Sequence, residues 1–259
     1  MHTFFTQLQH QTVRLFNQLL PTTCLLCGCR LAGDLLCGGC ELDLPHLLKA
    51  DSLCQQCALP LTGTSTFCGH CLRQPPAFSH SVIPFSYQKP FDFLVRNFKY
   101  RGNLVCGRLL AQVLTRYLQH VYADQQLELP TLIVPVPMHW TRRLRRGFNQ
   151  TEFLARHLAT PLHLPVATRL CRRQRRTVAQ QGLSRIARQQ NLRRAFTLAP
   201  DAEKILNGKC VALLDDVVTT TATARELSKL LLNAGARSVH IWALARTPDK
   251  TGAGDSFKH

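Results

Sequence analysis

Lys209-Cys-Val-Ala-Leu-Leu-Asp-Asp-Val-Val-Thr-Thr-Thr-Ala-Thr223 is the stretch from which the architecture is read. An apolar run ending in two adjacent acids suits a central parallel strand, whose faces are both covered by helices and so need no polar alternation. Ala222 to Ala234 then fits a helix, and Ser238 to Ala245 fits a second buried strand. Strand, helix and strand within ~35 residues make a βαβ unit, so this part of the chain is expected to hold a largely parallel sheet.

The same stretch carries chemistry. Ligands of open α/β sheets collect at the carboxyl ends of strands, which is where Asp215 and Asp216 fall. A helix beginning straight after them offers free backbone N–H groups and the positive end of its dipole to a phosphate. Thr219, Thr220, Thr221 and Thr223 add hydroxyl donors around the same anion, with Ala222 among them. The twin carboxylates are placed to accept hydrogen bonds from vicinal sugar hydroxyls. The competing reading is a capped helix with no ligand. One cap accounts for one such residue, not for two acids and four threonines in nine positions.

Upstream, His80 to Tyr87 reads as a strand and Phe91 to Tyr100 as a short helix with Phe91, Leu94, Val95 and Phe98 on one face. A longer helix is expected over Leu104 to Tyr122, a buried strand over Thr131 to Pro137, and helices over Gln150 to Leu158 and Ser184 to Phe196. Lys99-Tyr100-Arg101-Gly102 ends the Phe91 helix. It reads equally as a glycine-stopped helix end and as a basic contact beside the pocket. His139, just past the Thr131 strand, reads as an exposed loop histidine, with a phosphate contact as the alternative.

Nine of the twelve cysteines lie between Cys24 and Cys71. Eight of them form Cys-x2-Cys pairs: Cys24 and Cys27, Cys37 and Cys40, Cys54 and Cys57, Cys68 and Cys71. Each pair turns two thiolates towards one ion, and two pairs complete a tetrahedral site of four sulfurs. Two structural zinc ions are expected, with no open coordination position and no catalytic role. Disulfides, an iron–sulfur cluster and a cross-braced pairing of first with third remain as alternatives. Cys29 reads as a bystander; Cys106, Cys171 and Cys210 read as buried structural cysteines.

The 259 residues suit one or two domains and carry a formal net charge of +17. Residues 1–21 are expected to form an amphipathic helix, with Phe4, Leu8, Leu15, Phe16 and Leu19 on one face. The cysteine module is expected over 22–74, the α/β domain over 75–247 and a loose tail over 248–259. The N-terminus lacks the apolar core of a secretory signal, and no stretch approaches the ~20 apolar residues of a membrane span. A cytoplasmic protein is expected. From Arg142 to Arg194 there are fourteen arginines and a single acid, Glu152. Arg142, Arg143, Arg145, Arg172, Arg173, Arg175 and Arg176 are the candidate contacts to nucleic acid, since guanidinium forks grip phosphate and stack on bases. A solvated face, or a lid over a phosphorylated ligand, is the plainer alternative. Sequence-specific readout is not indicated.

Asp215-Asp216-Val-Val-Thr-Thr-x-x-Thr223 after an apolar strand resembles the phosphoribosyl-pyrophosphate (PRPP) motif of type I phosphoribosyltransferases. Val134-Pro-Val-Pro137, Arg146-Gly-Phe-Asn-Gln150, Thr177-x2-Gln180-x2-Leu183 and Arg188-x2-Asn191 narrow the likeness. With the cysteine pairs in front, the chain resembles the ComF/GntX family of competence and DNA-utilisation proteins. The resemblance implies an α/β fold: a type I phosphoribosyltransferase-like parallel sheet flanked by helices, preceded by a small module of four-cysteine zinc ribbons. It implies that Asp215 and Asp216 hold the ribose hydroxyls, that Thr219 to Thr223 cradle the 5′-phosphate, and that Mg2+ accompanies PRPP. Lys99, Arg146, Asn149, Gln150, Thr177 and Gln180 would flank the pyrophosphate. Single-stranded DNA and proteins of DNA uptake are the implied partners. One position departs from the family pattern: Thr221 and Ala222 stand where glycine and a small residue are usual. Glycine tolerates positive φ and lets backbone approach phosphate, whereas a β-branched threonine does neither well. Three functions stay open: a transferase with an unknown acceptor, a DNA-handling module on a transferase scaffold, and a zinc adaptor.

Overall fold

The computed structural model describes residues 21–47, 52–61, 63–125, 127–174 and 195–248. The expected N-terminal helix, most of the Ser184 to Phe196 helix, nearly all of the expected tail, Thr177, Gln180, Arg175 and Arg176 lie outside these residues.

The cysteine module is one small motif used twice. Strands β1 (Pro21–Thr23) and β2 (Arg30–Ala32) pair antiparallel, and helix α1 (Gly38–Leu42) follows. Strands β3 (Ser52–Leu53) and β4 (Pro60–Leu61) pair the same way, followed by α2 (Gly69–Arg73). Each helix is capped by a cysteine: Cys37 Sγ accepts the Cys40 N–H at 3.4 Å, and Cys68 Sγ accepts the Cys71 N–H at 3.4 Å. A sulfur in this role satisfies an orphan helix donor.

The larger body is a five-stranded parallel sheet. Its strands are β5 (His80–Val82), β6 (Phe85–Ser86), β7 (Leu132–Pro135), β10 (Cys210–Val218) and β11 (Ser238–Arg246). β11 lies between β10 and the β5–β6 pair, and β7 flanks β10 on the other side. Pro84 falls inside the single strand expected from His80 to Tyr87, and two short strands stand there instead. Proline has no N–H for a ladder.

Helices α3 (Phe91–Arg101), α4 (Leu104–Asp124) and α6 (Gln150–Leu162) share one core with Ile133, Ala212, Leu214, Trp242 and Leu244. Helix α8 (Ala222–Asn233) shares the other core with Val211, Leu213, Val239, Ile241 and Ala243. Odd and even residues of the central strands therefore serve opposite faces, which is why these strands read as unbroken apolar runs. α3, α4 and α6 approach closely at Gly107, where a Cβ would sit 2.5 Å from the Phe98 ring and 2.7 Å from the Phe153 ring.

Between β7 and β10 run α5 (Trp140–Arg146), the antiparallel pair β8 (Cys171–Arg173) and β9 (Phe196–Leu198), and α7 (Ala202–Leu206). None of these is legible in the sequence. Phe196, expected to end a helix, begins β9. The second cysteine motif is built into the α8 core through Cys54, Cys57, Cys68, Cys71 and Leu47. The segment ahead of it joins the sheet, since the Leu47 N–H donates to Pro84 O at 2.8 Å.

Candidate functional site

β10 outruns its neighbour β7. The last paired residues are Leu214 and Pro135, after which Val136 donates to Leu214 O at 2.8 Å. Asp215 and Asp216 follow at once, on the open lip of the sheet. They line a cleft of ≈ 320 Å³ together with Tyr87, Lys99, Tyr100, Val136, Arg173, residues 217–224 and Thr247. The expected juxtaposition is present: twin acids, threonine turn and helix start face one cavity.

The two carboxylates border one cleft but have different partners. Asp216 meets α3, where Lys99 Nζ lies 2.7 Å from its Oδ2. Asp215 accepts the Asp216 N–H at 2.8 Å, and Asp216 accepts the Val217 N–H at 2.7 Å. Burial, and then the neighbouring Asp216 charge, push the Asp215 carboxyl up to about 7; Lys99 and Arg173 oppose this without cancelling it. Burial works against the Lys99 ammonium, but Asp216 and then Asp215 outweigh it and hold the lysine above its ordinary range. Near neutrality the Asp215 carboxyl can therefore either accept from a hydroxyl or donate to it.

The turn ends at Thr221, with φ 61° and ψ 0°, immediately before α8. It is a threonine in the left-handed conformation that glycine serves without strain. Thr221 borders the cleft but is only 5% exposed, and its Oγ1 accepts from Arg225 Nε at 3.0 Å. Thr219 is exposed, and Thr220 and Thr223 are half-buried.

Of the residues expected to flank the pyrophosphate, Lys99 lines the cleft, whereas Arg146, Asn149 and Gln150 stand behind its wall. Asn149 caps α6 by accepting the Thr151 N–H at 3.3 Å. Gln150 is fully buried, donating to Lys99 O at 3.4 Å and accepting from Arg146 at 3.3 Å. The Arg146 guanidinium lies 5.0 Å from the centre of the Tyr100 ring. These three position Lys99 and Tyr100, which do line the cleft. His139 is buried rather than exposed and caps α5 through Thr141.

Of the candidate nucleic-acid arginines, Arg142, Arg143 and Arg145 lie on α5, and Arg172 and Arg173 on β8. Arg143 is exposed and sits 3.7 Å from Glu152; Arg172 is exposed. Arg173 lines the cleft itself. Tyr87, Tyr100, Thr247, Arg225 and Arg246 are site residues that sequence reasoning misses. A signal exists for two: Arg225 stands one helical turn after Thr221, and Arg246 closes a strand whose preceding five residues, Ile241 to Ala245, are apolar.

The sulfurs of Cys54, Cys57, Cys68 and Cys71 lie within 4.8 Å of one another and all four residues are buried. Cys57 and Cys68 Sγ are 3.6 Å apart, close to the ~3.8 Å edge of a tetrahedron with Zn–S bonds of about 2.3 Å. The other group is Cys24, Cys27, Cys29 and Cys37. Cys29 thus belongs to it, because the short β1–β2 turn folds the Cys29 carbonyl onto the Cys24 N–H at 2.8 Å. Cys40 packs beside these sulfurs. Two four-cysteine clusters fit two structural zinc ions, and the grouping is sequential rather than cross-braced.

Residues 15–72 match the double zinc ribbon domain. Over 225 residues the chain is 35% identical to competence protein F of Haemophilus influenzae, covering 86% of this chain and 96% of that protein. The chain belongs to the competence protein F family. Within it, DNA utilization protein YhgH of Escherichia coli (strain K12) is 35% identical over 228 residues, 88% of this chain and 98% of that one. Competence protein ComFC of Streptococcus pneumoniae is 27% identical over 242 residues, 86% and 99% of the two chains. Among solved structures, a Trypanosoma cruzi hypoxanthine phosphoribosyl transferase aligns at TM-score 0.36 and 15% identity, over 59% of this chain and 69% of that one. Among the described residues no helix is long and apolar enough to cross a membrane.

Proposed function

We propose that this chain binds PRPP with Mg2+ in the cleft between β10 and α8, and single-stranded DNA over the arginine-rich surface beside it, as part of DNA uptake or utilisation. One observation carries the reading. The carboxylates of Asp215 and Asp216 open onto the same cavity as the free N-terminus of α8. A sugar phosphate presents matching groups: hydroxyls for the acids, and an anion for the helix start. Lys99, Arg173 and the Mg2+ that accompanies a diphosphate supply the remaining positive charge.

The DNA arm rests on charge and on stacking surface. Arg143 and Arg172 are exposed, and Trp140 and Tyr100 present 62% and 64% of their surface. Exposed rings next to guanidinium groups are the usual means of sequence-tolerant single-strand binding. The names of the relatives, competence and DNA utilization, agree with it.

Transferase chemistry is the second reading, favoured by Asp215, whose carboxyl near 7 can exchange a proton at neutral pH. An acceptor would attack C1 of the ribose as the C1–O bond breaks and pyrophosphate leaves with the electron pair. Calorimetric titration with Mg-PRPP, with and without a single-stranded oligonucleotide, tests the proposal. Binding of PRPP is expected to vanish in Asp215→Ala/Asp216→Ala. Replacing arginines 172, 173, 175 and 176 by alanine is expected to abolish salt-sensitive DNA binding. Pyrophosphate release would add the transferase reading. Failure of both ligands to bind a zinc-loaded sample would leave the adaptor role among uptake proteins.

A further inference from the structure

Two arginines join the second cysteine cluster to the threonine turn. Arg225, 9% exposed on the first turn of α8, donates from Nε to Thr221 Oγ1 at 3.0 Å and from Nη1 to Gln74 O at 2.6 Å. Its Nη2 lies 3.8 Å from Cys71 Sγ. Arg246, 6% exposed at the end of β11, donates from Nε to Cys57 O at 3.2 Å. Its Nη1 serves the carbonyls of Val218 (3.3 Å), Thr219 and Thr247 (3.1 Å). Among the described residues neither guanidinium is paired with a carboxylate.

A buried charge without a counter-charge is costly. The group that can balance these two is the cluster they touch, since four thiolates around Zn2+ leave two net negative charges. The first cluster has no such contacts among the described residues, and most of its cysteines are exposed or half-exposed.

We propose that the metal at Cys54, Cys57, Cys68 and Cys71 is the counter-ion of Arg225 and Arg246, and that through these positioning residues its occupancy sets the conformation and phosphate affinity of the 218–221 turn. With metal bound, Arg225 is held between sulfur and Thr221, and the turn keeps its left-handed end. Without it, the two cations repel, seek water and release the turn. Coupling of this kind is reciprocal, so a ligand on the turn must raise the affinity for the metal by the same factor. The phosphate arm rests on the function proposed above; the metal arm does not.

The experiment uses the full chain carrying Cys24→Ser/Cys27→Ser, so that one zinc remains. Zinc affinity is measured by equilibrium competition with a chromogenic chelator, with and without Mg-PRPP, and amide hydrogen exchange is followed over residues 218–224. Saturating PRPP is expected to tighten zinc binding on the order of tenfold, and zinc withdrawal to weaken PRPP binding by the same factor. Arg225→Lys keeps a cation beside the sulfurs but cannot span to Thr221 and Gln74 together. It is expected to hold zinc while the turn amides exchange faster; Arg225→Gln is expected to lose both properties. If PRPP does not bind at all, the function proposed above fails, and exchange alone decides. Turn amides equally protected with and without zinc, or in the wild type and Arg225→Lys, overturn the coupling. So does PRPP binding that leaves zinc affinity unchanged. Should a variant fail to fold, zinc affinity and amide exchange in the protein with Arg225 intact decide the matter.

Discussion

Thr221→Gly is expected to destabilise the protein. A threonine at φ 61° is strained by its β-carbon, at about 1–2 kcal/mol. Glycine removes that strain, but it removes the hydroxyl too. The Arg225 Nε bond to Thr221 Oγ1 at 3.0 Å is buried and charge-assisted, so its loss costs about 1.5–3 kcal/mol, with about 0.5–1 kcal/mol more for the freer unfolded glycine. The balance is a net loss of about 1 kcal/mol, or roughly 2–4 °C in Tm for a chain of this size. Thr221→Ala keeps the positive φ and drops the hydroxyl, so it should fall about 1.5–3 kcal/mol below the wild type. Thr221→Ser keeps the hydroxyl and sheds the branch, so it should match or slightly exceed the wild type. Thermal melts at fixed zinc and equal protein concentration give the order. A Thr221→Gly protein more stable than the wild type would refute the reasoning, because the hydroxyl would then be idle.

Further outcomes follow from other parts of the molecule. Asp215→Asn should stabilise the ligand-free protein at pH 8, less so at pH 5, and converge with the wild type only below about pH 4. With its carboxyl raised to about 7, folded Asp215 holds a proton that the unfolded chain gives up, so stability falls as pH climbs from the ordinary carboxylate range through 7; equal effects at pH 8 and pH 5 in denaturant titrations would remove the premise. His240 behaves oppositely. Burial, and then His80, lower it to about 4, with Tyr122 OH 2.8 Å from its Nδ1. Its contribution is complete above pH ~6.5 and is lost as pH falls towards 4, which NMR titration of the ring checks directly. Gly107→Ala should cost about 1–3 kcal/mol, because its methyl would enter the Phe98 and Phe153 rings; a neutral result in urea melts would mean that this helix junction is loose.

Much of this protein is local. The β10–α8–β11 unit is legible because buried parallel strands are continuous apolar runs and the helix between them has a 3.6-residue stripe. The twin acids and the threonine turn announce the cleft because their chemistry sits on consecutive residues. The cysteine pairs announce two metal sites for the same reason. Tertiary structure decided what depends on distant neighbours. It gave Cys29 a place in the first sulfur group, buried His139 as a helix cap, and set Arg146, Asn149 and Gln150 behind the cleft wall. It split one expected strand at Pro84 and made β9 of an expected helix end. Above all, it engaged the Thr221 hydroxyl with Arg225, whose guanidinium is anchored 154 residues away at Cys71. Spacing along a chain can put two groups on one turn; only packing settles which buried cation a third group must answer.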